Sequence, residues 1–377
     1  MKRLVFITGT RADFGKIKTL IKIVQGSDKF NTHVFATGMH MLNKYGLTIN
    51  EVYKSGINNI FPFLNQDDTS GAQMDYILAN TVNGFGRYVR EYKPDMIVVH
   101  GDRIESLSAA IVGALNNIPV SHIEGGELSG TIDEHIRHAI SKLSYIHFTS
   151  NKDASKRLMQ MGENKNSIYS IGSPEIDTML SEDLPSLSEV FKYYDITFKN
   201  YSILLYHSVT TEHSDILKYS KIVTDAVIES GENFIVLYPN NDTGSNYIFD
   251  EYRRFESNSN FKLLPSIRFE GFLTALKHAD MIVGNSSSGV REAPVYGIPT
   301  INIGSRQNNR CHHESIINVD TDKNSIVNAI RAHASGQKKY KKSSIFGDGN
   351  SAKKFLEIVS DEVFWDVNVQ KVFNVDG

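Results

Sequence analysis

Three carboxylates in the first half of the chain occupy positions from which they could act on a bound substrate. Asp102 follows the apolar run "MIVVH", Glu124 ends "IPVSHIE", and Asp133 opens the helical pattern "IDEHIRHAI". Two glycines follow Glu124 and leave room beside it. Because a carboxylate held near a substrate can take up or return a proton, we consider these three residues candidates for acid–base chemistry.

Two of these segments also carry helix-capping patterns. Asp102 is placed to cap the next helix, with Glu105 three residues on as its capping-box partner. Thr131 and Glu134 form a second such box, which predicts a helix that starts at about residue 132. Capping is therefore the structural alternative to catalysis for Asp102.

The helix that follows carries charges at helical spacing. Asp133 with Arg137, and Glu134 with His138, are each four residues apart, so both can form ion pairs on one helix face. Exposed pairs of this kind contribute little to stability. His135 and His138 have a spacing seen in metal ligands, but no second His/Cys pair completes a site, so no metal is predicted.

Two turns in the sequence are suited to phosphate. In "TGTRADFGK" (8–16), Arg11 follows a glycine turn between a strand and a helix. In "VGNSSSGVREAP" (283–294), small serines follow a similar turn, and Glu292 could accept hydrogen bonds from a ribose. The first turn is neither a Walker A loop nor GxGxxG, so a nicotinamide cofactor is not predicted. The alternatives are a plain turn with a surface arginine and a serine N-cap.

Further polar groups follow strands in the second half. Arg306 and Arg310 in "GSRQNNR" (304–310) could contact an anion, and the alternative is a polar loop. His207 ends "ILLYHS", where it could serve as a cation or proton donor toward a diphosphate, although a lone histidine is often structural.

The elements that would position these groups are short, nearly continuous apolar runs, each followed by a helical pattern. Such runs are typical of parallel strands buried on both faces. They lie at 4–8, 32–37, 95–100, 118–124 and 145–150, and again at 201–208, 233–240, 260–266, 280–287 and 298–304. The sequence therefore predicts two Rossmann-like, doubly wound α/β domains that face a cleft, with ligand sites beyond the carboxyl ends of the strands.

The domain boundary is predicted where Pro, Ser and charged residues cluster. We expect an N-terminal domain with the candidate catalytic carboxylates at 1–180, a C-terminal domain with the second phosphate turn at 181–360, and a last segment, 361–377, that packs back on the first domain. The length of 377 residues is suited to two domains.

Composition excludes several classes of partner. The net charge is −3, which gives no footprint for nucleic acid or an anionic membrane. The N-terminal apolar run is too short for a signal peptide or a membrane span. Because Cys311 is the single cysteine, no intrachain disulfide can form, and we expect a cytoplasmic protein.

Taken together in order, the motifs resemble the hydrolysing UDP-N-acetylglucosamine 2-epimerases of sialic acid biosynthesis. The resemblance rests on "GTRADFGK", "HGDR", "HIEGGELSGTIDE", "HSVTT", "PNNDTGS", "GNSSSGVRE" and "INIGSRQ". It implies the two-domain fold of the GT-B glycosyltransferases and the conversion of UDP-N-acetylglucosamine and water to N-acetylmannosamine and UDP. It also implies that neither NAD nor a metal is required, and that the protein is a homodimer or homotetramer.

The resemblance also implies roles for particular residues. It places the chemistry on Asp102, Glu124 and Asp133, with Arg137 and His207 in support, and does not decide which carboxylate removes the proton at C2. The residues expected to contact UDP or the substrate are Arg11, Ala12, Lys16, Arg103, His207, Asn240, Ile267, Ser286, Ser287, Glu292 and Arg306. One departure is Gly15, where the human member of the family has a serine beside the diphosphate.

Several alternatives remain open from the sequence. A sister enzyme that acts on the UDP-linked 2,4-diacetamido-trideoxy sugar of legionaminic acid synthesis shares the motifs and the reaction. A non-hydrolysing epimerase would carry a Glu-rich motif where this chain has "GNSSSGVRE". A GT-B glycosyltransferase or a non-catalytic UDP-sugar-binding protein would not need three carboxylates in the first domain.

Overall fold

The computed structural model describes residues 1–67, 73–129, 132–240, 244–308, 310–334 and 340–374. The chain divides into two units. The first consists of Met1–Leu128, Asp133–Ser181 and Ile345–Gly377, and the second of Ser129–Ile132 and Glu182–Ser344. The second unit is thus inserted into the sequence of the first.

The first unit is built on a seven-stranded parallel sheet in the order β3-β2-β1-β4-β5-β6-β7. Its strands are β1 (Lys2–Thr8), β2 (Phe30–Ala36), β3 (Asn59–Pro62), β4 (Met96–His100), β5 (Val120–Ile123), β6 (Ile146–Thr149) and β7 (Ile168–Ser170). Its helices are α1 (Arg11–Gln25), α2 (Ile49–Lys54), α3 (Met74–Tyr92), α4 (Ile104–Leu115), α5 (Ile132–Leu143), α6 (Lys152–Gln160), α7 (Pro174–Met179) and, at the end of the chain, α15 (Ser351–Ser360).

The second unit repeats this plan with a six-stranded parallel sheet in the order β10-β9-β8-β11-β12-β13. Its strands are β8 (Ser202–Leu205), β9 (Phe234–Leu237), β10 (Phe261–Leu264), β11 (Ile282–Gly284), β12 (Thr300–Ile303) and β13 (Ile316–Val319). Its helices are α8 (Leu187–Tyr194), α9 (Ile216–Ser230), α10 (Ser245–Tyr252), α11 (Phe269–His278), α12 (Ser287–Val290), α13 (Glu292–Tyr296) and α14 (Lys323–His333).

The apolar runs form strands because both of their faces are buried, as in β4, where all five residues are buried. All ten predicted runs contain a strand of the two sheets. Three strands were not predicted: β3, β7 and β13. Each lies at an edge of its sheet and is largely accessible, so its sequence lacks a continuous apolar run.

The closing helix α15 belongs to the first unit, whereas the predicted domain limits assigned residues up to 360 to the second domain. Phe355 and Val359 are fully buried in the core of the first unit. The Phe355 ring lies 4.8 Å from that of Phe148 on β6, edge to face, and 6.4 Å from that of Phe6 on β1. Asp177 of α7 accepts hydrogen bonds from the backbone of Ser351 and fixes the start of the helix. Apolar burial therefore returns the chain to the first unit at residue 345.

The residues after α15 also contact the first unit. Lys371 donates hydrogen bonds to the carbonyl oxygens of Ser141, Lys142 and Ser144, at 3.1, 2.8 and 2.6 Å. These carbonyls lie at the C-terminal end of α5, where a cation is favoured. The same ammonium pairs with the buried carboxylate of Glu163 at 2.6 Å. The end of the chain thus holds the end of the helix that carries Asp133 and Arg137.

Candidate active site

In the first unit the strand order reverses between β1 and β4, which lie side by side while the chain between them forms β2 and β3. Open parallel sheets bind ligands beyond the carboxyl ends of the strands at such a reversal. The segments that follow β1, β4 and β5 carry Arg11, Asp102 and Glu124. The topology therefore brings the predicted residues of the first unit to one edge of the sheet.

Arg137 joins two of the three carboxylate residues. Its Nη2 donates to Oδ2 of Asp102, and its Nη1 donates to the backbone carbonyl of Glu124 at 2.7 Å. Arg137 is only 3% exposed, so this is not the surface ion pair considered from the sequence. The capping role considered for Asp102 is wrong, because the N-cap of α4 is Arg103 and its side chain makes no capping bond.

Glu124 has a backbone that side chains rarely adopt. It lies in the left-handed region with a φ of 62°, which costs a residue with a Cβ about 1–2 kcal/mol. Its side chain is 3% exposed, accepts a hydrogen bond from Ser173 Oγ, and lies 3.3 Å from Nε2 of His100. Strained geometry that is held from several sides is common at functional sites.

Gly126, two residues after Glu124, lets this turn pack closely against α6. Gly126 has a φ of 77°, and a Cβ there would lie 2.5 Å from the carbonyl oxygen of Ala154. Glu127, to which sequence reasoning assigned no role, is buried and accepts a hydrogen bond from Ser150. Glu127 therefore holds the turn against the loop after β6.

Helix α5 begins at Ile132, as the sequence predicts. Thr131 lies outside the described residues, so its capping box with Glu134 stays a prediction. Glu134 and His138 form the expected pair, with Nε2 and Oε1 2.9 Å apart. Asp133 stands in the first turn of α5, partly buried, one helical turn before Arg137.

The predicted UDP contacts of the first unit are held by acidic partners. Arg11 pairs with Glu51 of α2 at 2.5 Å, and Lys16 pairs with the fully buried Glu175 of α7. Arg103 lies beside Glu105, with Nε 3.2 Å from Oε2. Ala12 is exposed in the first turn of α1, and Gly15 is buried in the same helix.

In the second unit the strand order reverses between β8 and β11, and the segments after these strands are hydrogen-bonded to each other. Asn285 accepts from the backbone N–H of His207 at 2.7 Å and donates to its carbonyl oxygen at 2.8 Å. The His207 ring accepts a hydrogen bond at Nδ1 from the backbone of Asn240, at 3.2 Å. The two predicted residues His207 and Asn240 are therefore held together with Asn285, the residue before Ser286.

His207 is neutral in this setting. Burial, together with the charge of Arg306, lowers its pKa to about 3. Since Nδ1 accepts a hydrogen bond, the ring proton lies on Nε2. In the free protein the ring therefore presents a neutral N–H donor, and the role of His207 toward a bound diphosphate stays a prediction.

Three buried polar atoms near this reversal have no hydrogen-bond partner within the described part of the chain: Asn240 Oδ1, Ser208 Oγ and Arg306 Nε. Arg306 donates from Nη1 to the carbonyl oxygen of Asn285 at 3.1 Å, which fixes its guanidinium. Because buried polar groups are normally satisfied, atoms of this kind are expected where a ligand binds. Sequence reasoning did not select Ser208.

The remaining predicted residues of the second unit lie around β11 and α11. Ser286 caps α12, accepting from the backbone of Ser288 at 3.3 Å, and Ser287 is the first residue of that helix. Glu292 is buried at the start of α13, and Ile267 is buried just before α11.

Sequence reasoning missed His100 and Asp13. His100 ends β4, and its Nδ1 lies 2.6 Å from Oδ1 of Asp13 in the first turn of α1. Asp13 also accepts from Thr8 Oγ at 2.7 Å and from the backbone of Gly9 at 3.2 Å. The sequence signal that could have identified them is their position, because His100 ends β4 and Asp13 follows the neighbouring strand β1.

Two further searches concern the described residues alone. No helix among them is long and apolar enough to cross a membrane. Within those same residues, no three His, Cys, Asp or Glu side chains are grouped so that they could hold a metal ion.

Comparisons with known proteins identify the family and the fold. Residues 22–360 match the family model described as UDP-N-acetylglucosamine 2-epimerase. A UDP-N-acetylglucosamine 2-epimerase from Neisseria meningitidis serogroup B is 46% identical over 99% of both chains. The polysialic acid biosynthesis protein P7 of Escherichia coli is 34% identical, over 88% of this chain and 85% of that protein.

A second activity is represented among the relatives. The hydrolysing UDP-N,N'-diacetylbacillosamine 2-epimerase of Legionella pneumophila is 33% identical over 95% of this chain and 96% of that protein. Among solved structures, the UDP-GlcNAc 2-epimerase of Methanocaldococcus jannaschii in complex with UDP-GlcNAc and UDP superposes with a TM-score of 0.77. It covers 95% of this chain and 99% of its own at 19% identity, which shows the shared fold.

Proposed function

Because the chain belongs to the UDP-N-acetylglucosamine 2-epimerase family, we propose that it hydrolyses UDP-N-acetylglucosamine to N-acetylmannosamine and UDP. The observation that carries the proposal is the group formed by the partly buried Asp102 and the buried Arg137 and Glu124, which places carboxylates near the reversal of the first sheet. The product is the starting sugar for sialic acid, in keeping with the similarity to the polysialic acid protein.

The chemistry explains why carboxylates are needed. The proton at C2 of the sugar is not acidic, because no carbonyl group is adjacent to it. It leaves when the bond from C1 to the diphosphate oxygen breaks and C1 becomes electron-poor, which gives a 2-acetamidoglucal and UDP. Water then adds at C1 and a proton returns to C2 from the opposite face. A carboxylate base and a carboxylic acid on different faces of the sugar serve these two proton transfers.

We assign the proton transfers to Asp102, Glu124 and Asp133. Arg137 donates hydrogen bonds to the carboxylate of Asp102 and to the backbone carbonyl of Glu124, and so holds both residues in fixed positions. Arg11, Ala12, Lys16 and Arg103 lie at the same edge of the first sheet and are assigned to the diphosphate side of the substrate.

We assign UDP binding in the second unit to the groups around β8 and β11. Arg306 supplies a cation for the diphosphate, and His207 supplies a neutral N–H donor. Asn240 offers a buried oxygen without a partner in the described residues, and Glu292 is placed to accept from a ribose hydroxyl. Ser286, Ser287 and Ile267 complete the set assigned from the family resemblance.

Proton NMR of a reaction in D2O tests the proposal. Purified protein with UDP-N-acetylglucosamine is expected to release UDP and free N-acetylmannosamine that carries deuterium at C2. A product still joined to UDP would contradict the hydrolytic assignment. A product without deuterium at C2 would contradict proton removal at that carbon.

The diacetamido sugar is the second candidate substrate, because the Legionella relative is 33% identical over nearly the whole chain. The higher identity of 46% to the Neisseria enzyme favours UDP-N-acetylglucosamine. Turnover measured with both sugars at equal concentration decides between them.

We also propose that the protein works in the cytoplasm as a homodimer or homotetramer. Light scattering of the purified protein tests the number of subunits.

A further inference from the structure

Asp13 and His100, to which the reaction described above gives no role, form a buried row with Glu124. His100 lies between two carboxylates, with Nδ1 2.6 Å from Asp13 Oδ1 and Nε2 3.3 Å from Glu124 Oε2. Asp13 and His100 are 8% and 7% exposed, and Glu124 is 3% exposed. The second contact is an ion pair, longer than the about 2.8 Å of a close charge-assisted hydrogen bond.

The row carries a defined charge. Burial opposes a charge on His100, but the attraction of Glu124 and the hydrogen bond to Asp13 outweigh it and raise the pKa of His100 to about 9. Burial likewise opposes the charge on Asp13, yet the hydrogen bond and charge of His100 lower its pKa below the usual value. At neutral pH the row is therefore anion, cation, anion.

Among the groups that face the row from other elements, two histidines are neutral and Arg137 is a further cation. His40, on the short helix Gly38–Met41, is neutral because burial lowers its pKa to about 4. His122 of β5 donates Nε2–H to the carbonyl of Gly101 at 2.8 Å, and burial lowers its pKa well below the usual value. Arg137 of α5 reaches the carbonyl of Glu124.

A buried glutamate needs such a partner. Without a cation beside it, a carboxyl group that is removed from water tends to keep its proton and cannot act as a base. The row provides the cation on Oε2, while Ser173 donates to Oε1 and Arg137 holds the backbone. Both carboxylate oxygens and the strained peptide of Glu124 are thus fixed by separate elements.

We propose that His100, held as an imidazolium by Asp13, is a positioning residue that keeps Glu124 ionised and directs its carboxylate for proton transfer. The proposal rests on the function proposed above. When the substrate gives up a proton, that proton bonds to an oxygen of Glu124, and His100 keeps its own. The row then passes from a net charge of −1 to 0, and the proton later leaves Glu124 to water, because a different acid returns a proton to the opposite face of C2.

The substitution Asp13→Asn tests the charge with little change in shape. The amide oxygen can still accept from Thr8 and Gly9, and the amide N–H can donate to Nδ1 of His100. His100 then remains next to Glu124 with a proton on Nε2 but without a positive charge. Thr8→Val is the matched control, because it removes the 2.7 Å hydrogen bond to the same carboxylate and keeps both charges.

The expected result is a change in the pH profile of kcat. In the unmodified protein kcat falls on the alkaline side as His100 loses its proton near pH 9. In Asp13→Asn this limb moves to lower pH by about 1–3 units, and kcat at pH 8 falls by up to about 100-fold, with KM changed little. Thr8→Val keeps the limb where it is. An alkaline limb in Asp13→Asn that coincides with that of Thr8→Val would overturn the proposal.

A direct reading of His100 separates this proposal from the proposed function. In protein labelled at histidine Cε1, the His100 signal is identified by its loss in His100→Gln. It is expected to titrate near pH 9 in the unmodified protein and about 1–3 units lower in Asp13→Asn. This result stands even if the protein does not turn over UDP-N-acetylglucosamine. A His100 signal that is already neutral at pH 7 would refute the imidazolium, whatever the activity.

Discussion

Arg137 connects Asp102 to Glu124 through two nitrogens of one guanidinium group. Nη2 donates to the carboxylate of Asp102, and Nη1 donates to the carbonyl oxygen of Glu124 at 2.7 Å. Asp102 follows β4 and Glu124 follows β5, so a side chain from α5 fixes the ends of two neighbouring strands. One residue therefore determines the spacing of two proposed catalytic groups.

Replacing Arg137 by Lys is expected to break this connection. A single ammonium cannot reproduce the planar fork that reaches both oxygens. We expect kcat to fall by about 100-fold, the cost of displacing a reacting group by about 1 Å, while the Kd for UDP measured by calorimetry changes less than about twofold. Arg90→Lys, at an exposed position on α3, is the control. Unchanged kcat in Arg137→Lys would show that the fork is not needed.

Replacing Glu124 by Gln is expected to remove a proton-transfer group and keep the shape of the turn. Turnover should fall by about 10²- to 10⁴-fold, the usual contribution of general acid–base catalysis. The matched control is Glu127→Gln, because Glu127 is equally buried in the same segment and is bound by Ser150. The measurement is release of UDP, together with deuterium uptake at C2. Equal losses in both variants would mean that the turn, and not the carboxylate, is responsible.

These pairings show where sequence reasoning reached its limit. Ten of the thirteen described strands, the start of α5 and the identity of the polar residues at the strand ends follow from apolar runs and a capping pattern. Helical spacing correctly predicted the pair Glu134–His138. It could not reveal that Arg137 reaches Asp102, 35 residues away, because that contact depends on which strands are neighbours in the sheet.

The same limit applies to His100 and to the second unit. Asp13 and His100 are 87 residues apart in sequence and meet because β1 and β4 lie side by side. The charge state of His207 depends on how deeply it is buried and on Arg306, neither of which is encoded in local pattern. Edge strands such as β3 escaped detection because their side chains are half exposed.

Replacing Arg306 by Met is expected to weaken UDP binding. The guanidinium donates to the carbonyl oxygen of Asn285 and, in the proposed role, also to the diphosphate of UDP. The substitution removes that charge-assisted contact, which is worth about 1.5–3 kcal/mol, or roughly 10- to 100-fold in Kd. Calorimetric titration with UDP measures the change. Arg254→Met, which removes a partly exposed arginine that pairs with Asp225, controls for loss of charge in the same unit. Equal affinities for both variants would exclude Arg306 from the UDP site.

Replacing Glu163 by Gln is expected to lower stability in a pH-dependent way. Burial opposes its charge, but the hydrogen bond from His147 and the charge of Lys371 lower the pKa of Glu163 to about 2, from 4.5. A lowered pKa stabilises the folded state above pH 4.5, and this contribution is lost as the pH falls toward 2. At about 1.4 kcal/mol per pKa unit the effect is about 2–3 kcal/mol, since burial also lowers the pKa of Lys371 and offsets part of it.

Urea unfolding at pH 7, 5 and 3.5 measures this effect. The difference in the free energy of unfolding between the unmodified protein and Glu163→Gln should be largest at pH 7 and should shrink below pH 4.5. Glu91→Gln, at an exposed position on α3, should show no such difference at any of these pH values. A difference that is independent of pH would indicate that the substitution acts through packing.

The return of the chain to its first unit sets an order for folding during synthesis. Phe355 and Val359 fill the core beneath β1 and β6, so that core is incomplete until the last stretch of the chain has left the ribosome. The inserted unit, Glu182–Ser344, contains all six strands of its own sheet and is synthesised before that point. The N-terminal half is made first and finishes last. A nascent chain stopped at residue 344 would have all six strands of the second sheet, whereas the core of its first unit would lack Phe355 and Val359 and expose apolar side chains.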